Sequence, residues 1–289
     1  MPVALSARRP RRAFRVCESV TLDHVADIEC LREGWKKVRT NKGGPGGDRV
    51  TLDTFGARID VNLAAIKKEL LEARYRPRRL RWVKVPKSDG TERQLKIPAV
   101  RDRVVQAALL IALAPTIDPR MSDASWAYRP GRGVQDALRE VRAHLGAGRI
   151  WVLEADIQSY FDRVPHDRLV EELTIWLDDV RLISLVQLWL RSFSSSGTGI
   201  AQGAPISPLL ANVYLHPVDR LLACDGFHVV RYADDLVIMT HDEREARSAM
   251  VALDRLLRLR GLALKAGKTR IVSPDKTFRF LGENICATS

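Results

Sequence analysis

Apolar residues recur at three- and four-residue steps through much of the chain, which is the spacing of amphipathic helices. This pattern predicts helices at residues 22–40, 51–73, 100–114, 134–145, 166–178, 180–193 and 243–260. A further helix is predicted to open at residues 202–205 and to run to about residue 223, with Pro205 and Pro208 in its first turn. Proline is tolerated there because its missing N–H costs little in the first turn.

Shorter apolar runs bounded by turn residues predict strands. Residues 80–85 and 93–97 flank an Asp89-Gly90 pair, which favours a hairpin because both residues tolerate positive φ. Other strands are predicted at residues 150–155, 228–232, 236–240, 262–264, 270–272 and 278–281. Helices dominate the front of the chain and a sheet follows, so the pattern predicts an α+β fold.

Composition narrows the class of protein. The chain has 289 residues, of which 46% are apolar and 28% charged, as in one large folded domain or two lobes. No apolar run approaches the ~18 residues of a membrane span, and no apolar stretch follows the N-terminal arginines as in a secretory signal. The four cysteines, which form no C-x-x-C pair, are Cys17, Cys30, Cys224 and Cys286. This scattered arrangement argues against a zinc site or a disulfide framework. It favours a location in the reducing cytoplasm.

The charge is strongly basic and unevenly distributed. The formal net charge is +12, and residues 71–103 hold eleven Lys and Arg against four Asp and Glu. Residues 1–16 are predicted to be a separate basic arm. A basic cluster attracts nucleic acid because each neutralised phosphate releases counterions, although a generally basic surface would carry the same charge.

Three carboxylates stand at the ends of predicted strands. Asp156 ends an apolar run, a position also typical of an Asp that caps a turn. Asp234 and Asp235 occupy the tip between two apolar strands, where they repel each other unless the turn is solvated or a cation lies between them. Hard oxygen ligands favour Mg²⁺, and two ions about 4 Å apart can catalyse in-line phosphoryl displacement.

Tyr232-Ala233-Asp234-Asp235 resembles the Y-x-D-D box of reverse transcriptases. Its surroundings resemble the group II intron-encoded reverse transcriptase/maturase family, which includes CRISPR-associated relatives. Further motifs of that family occur in order at residues 85–109, 127–138, 151–169, 201–219, 261–272 and 278–282. The resemblance therefore extends from about residue 75 to residue 282.

The resemblance implies a right-hand polymerase with fingers at residues 17–149 and a palm with an antiparallel sheet at residues 150–289. The sequence departs from the family in that no thumb is expected after the palm motifs. It implies an RNA-directed DNA polymerase that uses two Mg²⁺ ions to add dNTPs to a DNA or RNA primer on an RNA template. The alternatives are an RNA-binding maturase or scaffold with impaired polymerase activity, and a reverse transcriptase that serves CRISPR spacer acquisition. Intron RNA or a CRISPR integrase would be the further partner, in a prokaryotic cytoplasm.

The resemblance also implies roles for single residues. Asp156 and Asp234 would be the main metal ligands, Asp235 would support them, and the backbone of Ile157 would contact the metal or the nucleotide. Phe161 stands where the family has a steric gate that excludes a ribose 2′-hydroxyl, although a core aromatic would fit the same position.

Basic residues and a glycine complete the implied site. Lys87 and Arg93 would clamp the incoming triphosphate, or belong to a general basic face. Lys268 would orient phosphate, or serve as a structural cation. Gln202 would contact the nucleotide, and the expected template contacts are Gly203, Arg129 and Arg132.

Overall fold

The computed structural model describes residues 19–86 and 92–287, which form eleven α-helices and eight strands. The helices are α1 (Leu22–Val25), α2 (Ile28–Thr40), α3 (Leu52–Gly56), α4 (Ile59–Leu71), α5 (Val100–Ile117), α6 (Val134–Gly146), α7 (Tyr160–Arg163), α8 (His166–Trp176), α9 (Val180–Phe193), α10 (Ser207–Cys224) and α11 (Glu243–Leu259). The strands are β1 (Arg81–Pro86), β2 (Glu92–Ile97), β3 (Trp151–Asp156), β4 (His228–Tyr232), β5 (Asp235–Thr240), β6 (Arg270–Val272), β7 (Thr277–Phe280) and β8 (Glu283–Cys286). The predicted basic arm lies outside the described residues.

The front of the molecule is a group of helices around the buried helix α5. Helix α2 packs most extensively on α5, and it can approach closely because Gly34 faces the contact. A Cβ at Gly34 would lie 2.5 Å from the carbonyl oxygen of Val104, so any larger residue would force the two helices apart. On the other side of α2, the rings of Trp35 and Phe55 lie 5.3 Å apart.

The back of the molecule is a four-stranded antiparallel sheet in the order β4-β5-β3-β6. Side chains alternate between its two faces, as the period of a strand requires. Leu153 and Ile238 belong to the main core, which includes buried residues of α8, α9, α10 and α11. Val152 and Val237 belong to a second core, formed with buried residues of α6, β7 and β8. Both faces of the sheet are therefore covered.

The β1-β2 hairpin connects the helical front to the sheet. The two strands pair antiparallel, with Arg81 opposite Ile97. Lys96 docks the hairpin: its backbone N–H donates to the Gln202 carbonyl at 2.8 Å, and its Nζ donates to the Phe193 carbonyl at 3.0 Å. These bonds hold the hairpin beside the loop that precedes α10. The predicted turn at Asp89-Gly90 lies outside the described residues.

The predicted α+β class is confirmed, but several predicted boundaries were wrong. The predicted helix at 22–40 is broken before Asp27, whose side chain accepts the N–H of Glu29 and so starts a new helix. The predicted helix at 51–73 is likewise broken at residues 57–58. Helix α10 begins at Ser207, so Pro205 precedes it and only Pro208 lies in its first turn.

Two strand predictions at the end of the chain also needed correction. The predicted strand at 262–264 is reduced to a single bridge between Ile157 and Leu264. Strand β8 was not predicted, and it pairs with β7 in a hairpin beside the sheet. No helix within the described ranges has the combined length and apolarity needed to cross a membrane.

Candidate active site

Three carboxylates from two distant parts of the chain meet at one end of the sheet. Tyr232 pairs with Asp235 across β4 and β5, which leaves Ala233 and Asp234 as a two-residue turn. Ala233 has φ +61°, a left-handed conformation that costs energy for a residue with a Cβ. Asp156 is the direct cross-strand partner of Asp235, so these two residues lie side by side on β3 and β5.

A backbone hydrogen bond fixes the turn against β3. The N–H of Ile157 donates to the Asp234 carbonyl at 3.1 Å. Because this N–H is engaged, any contact of the Ile157 backbone with a metal or nucleotide would come from its carbonyl oxygen. The side chain of Ile157 is buried in the core below the turn. The convergence of residue 156 with residues 234 and 235 was the central expectation from the sequence, and the strand register shows it.

The negative charges of Asp234 and Asp235 are destabilised by burial and by the neighbouring carboxylates. Burial, together with the negative charges of Asp156 and Asp234, raises the pKa of Asp235 to about 6. The pKa of Asp234 is raised by burial and by Asp156, while Arg93 and Lys268 lower it. The Nζ of Lys268 donates to Oδ2 of Asp156 at 2.8 Å, and this hydrogen bond raises the pKa of Lys268. Lys268 therefore directs its ammonium group at the acidic group, while 57% of its side chain stays exposed.

The acidic group fits a divalent metal by the chemistry of its donors, which are oxygen atoms without sulfur or imidazole. In the present side-chain arrangement, no group of three or more Asp, Glu, His or Cys residues within the described ranges is closed around a metal position. One reason is visible at Asp156, whose Oδ2 is turned to Lys268. Two carboxylates with raised pKa values beside a third are nevertheless the arrangement that an added cation would stabilise.

A cavity of about 570 Å³ opens in front of the turn, between the helical front and the sheet. Its volume is within the range of small-molecule sites. Four of the predicted nucleotide or template residues line it together with Asp234; they are Arg93, Phe161, Gln202 and Gly203. The structure thus brings the predicted triphosphate clamp, the predicted gate and one of the predicted catalytic carboxylates to a single space. Lys87 lies outside the described residues.

The gate and the loop beside it are held by the fold. Phe161 is half-buried, and its ring meets the buried Tyr160 ring edge-on at 5.6 Å between centroids. Gly203 has φ +109°, which only glycine adopts readily, and its position allows the loop to pass close to Lys96. Phe161 and Gly203 therefore both line the cavity in front of the turn.

Arg129 is buried and engaged inside the fold. It is 9% exposed, and its guanidinium donates to the Asp118 carboxylate and to the carbonyls of Asp118, Ser122 and Ser125. These bonds use four of its five N–H donors. The buried position makes Arg129 an internal brace of its loop, and the expectation of a template contact is corrected accordingly.

Arg132 is also engaged within its own loop. Its guanidinium donates to the side chain and the carbonyl of Asp123, and it lies over the Trp126 ring at 4.9 Å. Part of Arg132 remains at the surface. Its internal bonds favour a structural role over the predicted grip on the template.

A buried ion pair behind the turn was not predicted. Arg231, the residue before Tyr232, is 2% exposed, as is its partner Asp219 on α10. The two are joined by two hydrogen bonds of 2.8 and 2.6 Å, and Arg231 also donates to the Ala233 carbonyl at 3.0 Å. The remaining donors reach Asn212 and Ser125. The signal in the sequence was a charged residue inside an otherwise apolar strand.

Comparison with known proteins identifies the class of molecule that this fold and site define. Residues 85–285 match the family model described as reverse transcriptase (RNA-dependent DNA polymerase). Since the match covers more than half of the chain, the protein belongs to the reverse transcriptase family.

Individual relatives show which members of the family the chain resembles. The chain is 36% identical over 212 residues to protein YkfC of Escherichia coli (strain K12), covering 68% of this chain and 55% of that protein. It is 28% identical over 196 residues to the group II intron-encoded protein LtrA of Lactococcus lactis subsp. cremoris, covering 65% of this chain and 32% of LtrA. The chain thus spans about half the length of the first and a third of the second.

A solved structure agrees with this grouping. A chain of a partial Cas6-RT-Cas1–Cas2 complex aligns with a TM-score of 0.50 and 26% identity, over 84% of this chain and 42% of that chain. The predicted resemblance to group II intron-encoded and CRISPR-associated reverse transcriptases is therefore confirmed.

Proposed function

We propose that this chain is an RNA-directed DNA polymerase that adds dNTPs to the 3′ end of a primer on an RNA template. The observation that carries the proposal is the register of β3 and β5, which sets Asp156 opposite Asp235 and leaves Asp234 at the tip. Asp234 then lines a cavity of about 570 Å³ that a nucleotide can enter. Membership of the reverse transcriptase family supports the assignment.

We further propose that two Mg²⁺ ions bind here, held by Asp156 and Asp234 with support from Asp235 and the Ile157 carbonyl. When bound, such ions would supply charge neutralisation on the triphosphate and activation of the primer 3′-hydroxyl. Lys268 would move from Asp156 toward a phosphate oxygen, because both are anions within reach of a flexible side chain. The raised pKa values of Asp234 and Asp235 support cation binding at the same place.

The cavity walls suggest how a dNTP would be oriented. Arg93 projects from the hairpin into the cavity and would hold the triphosphate, with Lys87 as its expected partner. Phe161 would crowd the 2′-position of the sugar. Gln202 and Gly203 would line the side nearest the templating base. Arg129 is left out of this scheme because its donors are used inside the fold.

Partners and cellular context are inferred from charge and relatives. The net charge of +12 favours an RNA template and a DNA or RNA primer as ligands. The relatives favour either intron RNA, as for a group II intron-encoded protein, or an integrase partner, as in a Cas6-RT-Cas1–Cas2 complex. The scattered cysteines favour a reducing cytoplasm.

Primer extension tests the function directly. Asp234→Asn keeps the shape of the side chain but removes the charge, so incorporation should fall by about a thousandfold, since metal-held charge stabilises the transition state by several kcal/mol. RNA binding, measured by fluorescence anisotropy, should change little. The matched control is Asp225→Asn, which makes the same change at an exposed residue after α10.

The possible outcomes separate the alternatives. Robust cDNA synthesis by Asp234→Asn would overturn the assignment of the site. A wild-type protein that binds RNA tightly but incorporates no dNTP with Mg²⁺ or Mn²⁺ would favour the RNA-binding maturase or scaffold.

A further inference from the structure

Tyr128 occupies an unusual position on the loop between α5 and α6. It is 53% exposed and lines the cavity together with Arg93, Phe161 and Asp234. Its φ is +61°, in the left-handed region, which is an outlier for a bulky side chain. Strained residues of this kind persist only where the surrounding structure holds them, and they concentrate at ligand sites.

The fold holds the backbone on both sides of Tyr128. On one side, Nδ2 of Asn212 donates to the Ala127 carbonyl at 2.8 Å. On the other side, Arg129 is braced by four hydrogen bonds, two of which reach back to the carbonyls of Ser122 and Ser125. The loop is therefore anchored at residues 127 and 129, and the strained residue between them presents its ring to the cavity.

An internal structural role does not account for the ring. A core aromatic would be buried, whereas about half of Tyr128 is accessible. None of the described residues forms a hydrogen bond with its hydroxyl. Burial of part of the ring and the charge of Asp234 raise the pKa of Tyr128, so the hydroxyl stays protonated at neutral pH. The side chain offers a flat apolar face and a donor to whatever fills the cavity.

We propose that Tyr128 is a nucleotide-contacting residue whose ring packs against a base of the nascent base pair. The position between Arg93 and Asp234 suits either the incoming dNTP or the templating nucleotide, which present the same chemistry, a base face. This inference rests on the proposed polymerase function and adds a specificity contact to it.

Four variants distinguish the effect of a contact between the Tyr128 ring and a base from the effect of backbone strain at residue 128. Tyr128→Phe removes only the hydroxyl, Tyr128→Leu removes the aromatic face, and Tyr128→Gly removes the side chain and also relieves the backbone. The matched control is Ala73→Gly, because Ala73 is exposed, has φ +55° and does not line the cavity. Both glycine variants should keep or raise the melting temperature, since each removes a strained Cβ.

Three constants are measured for each variant: kcat and KM for a dNTP in primer extension, and Kd for a primer–template duplex by anisotropy. Loss of base stacking should raise one binding constant about ten- to a hundredfold in Tyr128→Gly and Tyr128→Leu, and much less in Tyr128→Phe. A rise in KM alone identifies the incoming nucleotide, and a rise in Kd for the duplex identifies the template. Ala73→Gly should leave all three constants unchanged.

The inference is overturned when Tyr128→Gly and Tyr128→Leu keep both KM and Kd within about twofold of the wild type. A loss confined to kcat with a lowered melting temperature also counts against it, because that is the effect of a disrupted loop. If the wild type incorporates no nucleotide, the proposed function fails separately. The role of Tyr128 is then tested by two binding measurements. One is the Kd for the primer–template duplex. The other is whether the complementary dNTP strengthens binding of a duplex whose primer ends in a dideoxynucleotide.

Discussion

The buried pair of Arg231 and Asp219 allows a sharp prediction about stability. Asp219→Asn keeps the size of the side chain but removes the negative charge from a partner that is 2% exposed. Arg231 would then keep its positive charge in the core with only neutral oxygens as hydrogen-bond acceptors. Breaking a buried pair in this way costs about 3–5 kcal/mol. This is a large part of the ~5–15 kcal/mol that stabilises an ordinary folded protein.

The structure supports the upper half of that range. Arg231 uses all five of its N–H donors on Asp219, Asn212, Ser125 and the Ala233 carbonyl, so no water-facing donor is left to soften the change. For a chain of this size, each kcal/mol shifts the melting temperature by roughly 2 °C or slightly more. The expected fall is therefore about 8–12 °C in thermal unfolding followed by circular dichroism.

Two comparisons complete the experiment. Asp254→Asn breaks an exposed i,i+4 pair with Arg258, and it should leave the melting temperature unchanged because solvent screens such pairs. The double variant Arg231→Met/Asp219→Leu should lose less stability than the two single variants combined, since it leaves no unpaired charge. If Asp219→Asn melts with the wild type, the pair does not stabilise the turn and the reasoning fails.

Two further predictions address the interior and the gate. Asp102 is buried, and its pKa is raised from 3.8 to about 6, chiefly by burial. Because the folded pKa exceeds the unfolded one, stability should fall as the pH rises from about 4 to about 6. Asp102→Asn should flatten this slope in melting curves taken across that range, apart from the part that Asp234 and Asp235 contribute. Phe161→Ala should raise incorporation of rNTPs relative to dNTPs in primer extension, and unchanged sugar selectivity would place the gate elsewhere.

Much of the fold and the central part of the site could be predicted from the sequence, because both depend on local patterns. Short apolar runs located β3, β4 and β5, and the paired carboxylates marked the turn between the last two. The cross-strand pairing of Asp156 with Asp235 followed from the resemblance, since neither spacing nor charge relates residues 79 positions apart. Helix breaks at residues 26–27 and 57–58 were missed because the apolar spacing continues across them.

The roles of the arginines could not be predicted, for a different reason. An arginine in a glycine- and proline-containing loop looks the same whether it faces a phosphate or a buried carboxylate. Arg129 became a brace because Asp118 and the Ser122 and Ser125 carbonyls converge on it. Arg231 likewise acquired its role from Asp219, which comes from another element. Long-range partners decide such cases, and a single sequence does not reveal them.

Several energetically costly features of this molecule lie around the turn at Ala233-Asp234. Ala233 and Tyr128 both hold a left-handed backbone conformation, and Asp235 carries a carboxylate whose pKa is raised to about 6. Each feature alone would be selected against in a structural element, since strain and uncompensated charge lower stability. Arg231 joins them, because it binds the Ala233 carbonyl, while its own carbonyl accepts the N–H of Trp126 in the loop that carries Tyr128. One buried cation thus contacts the backbone of both segments that hold a strained residue, beside the cavity in which we propose that the nucleotide binds.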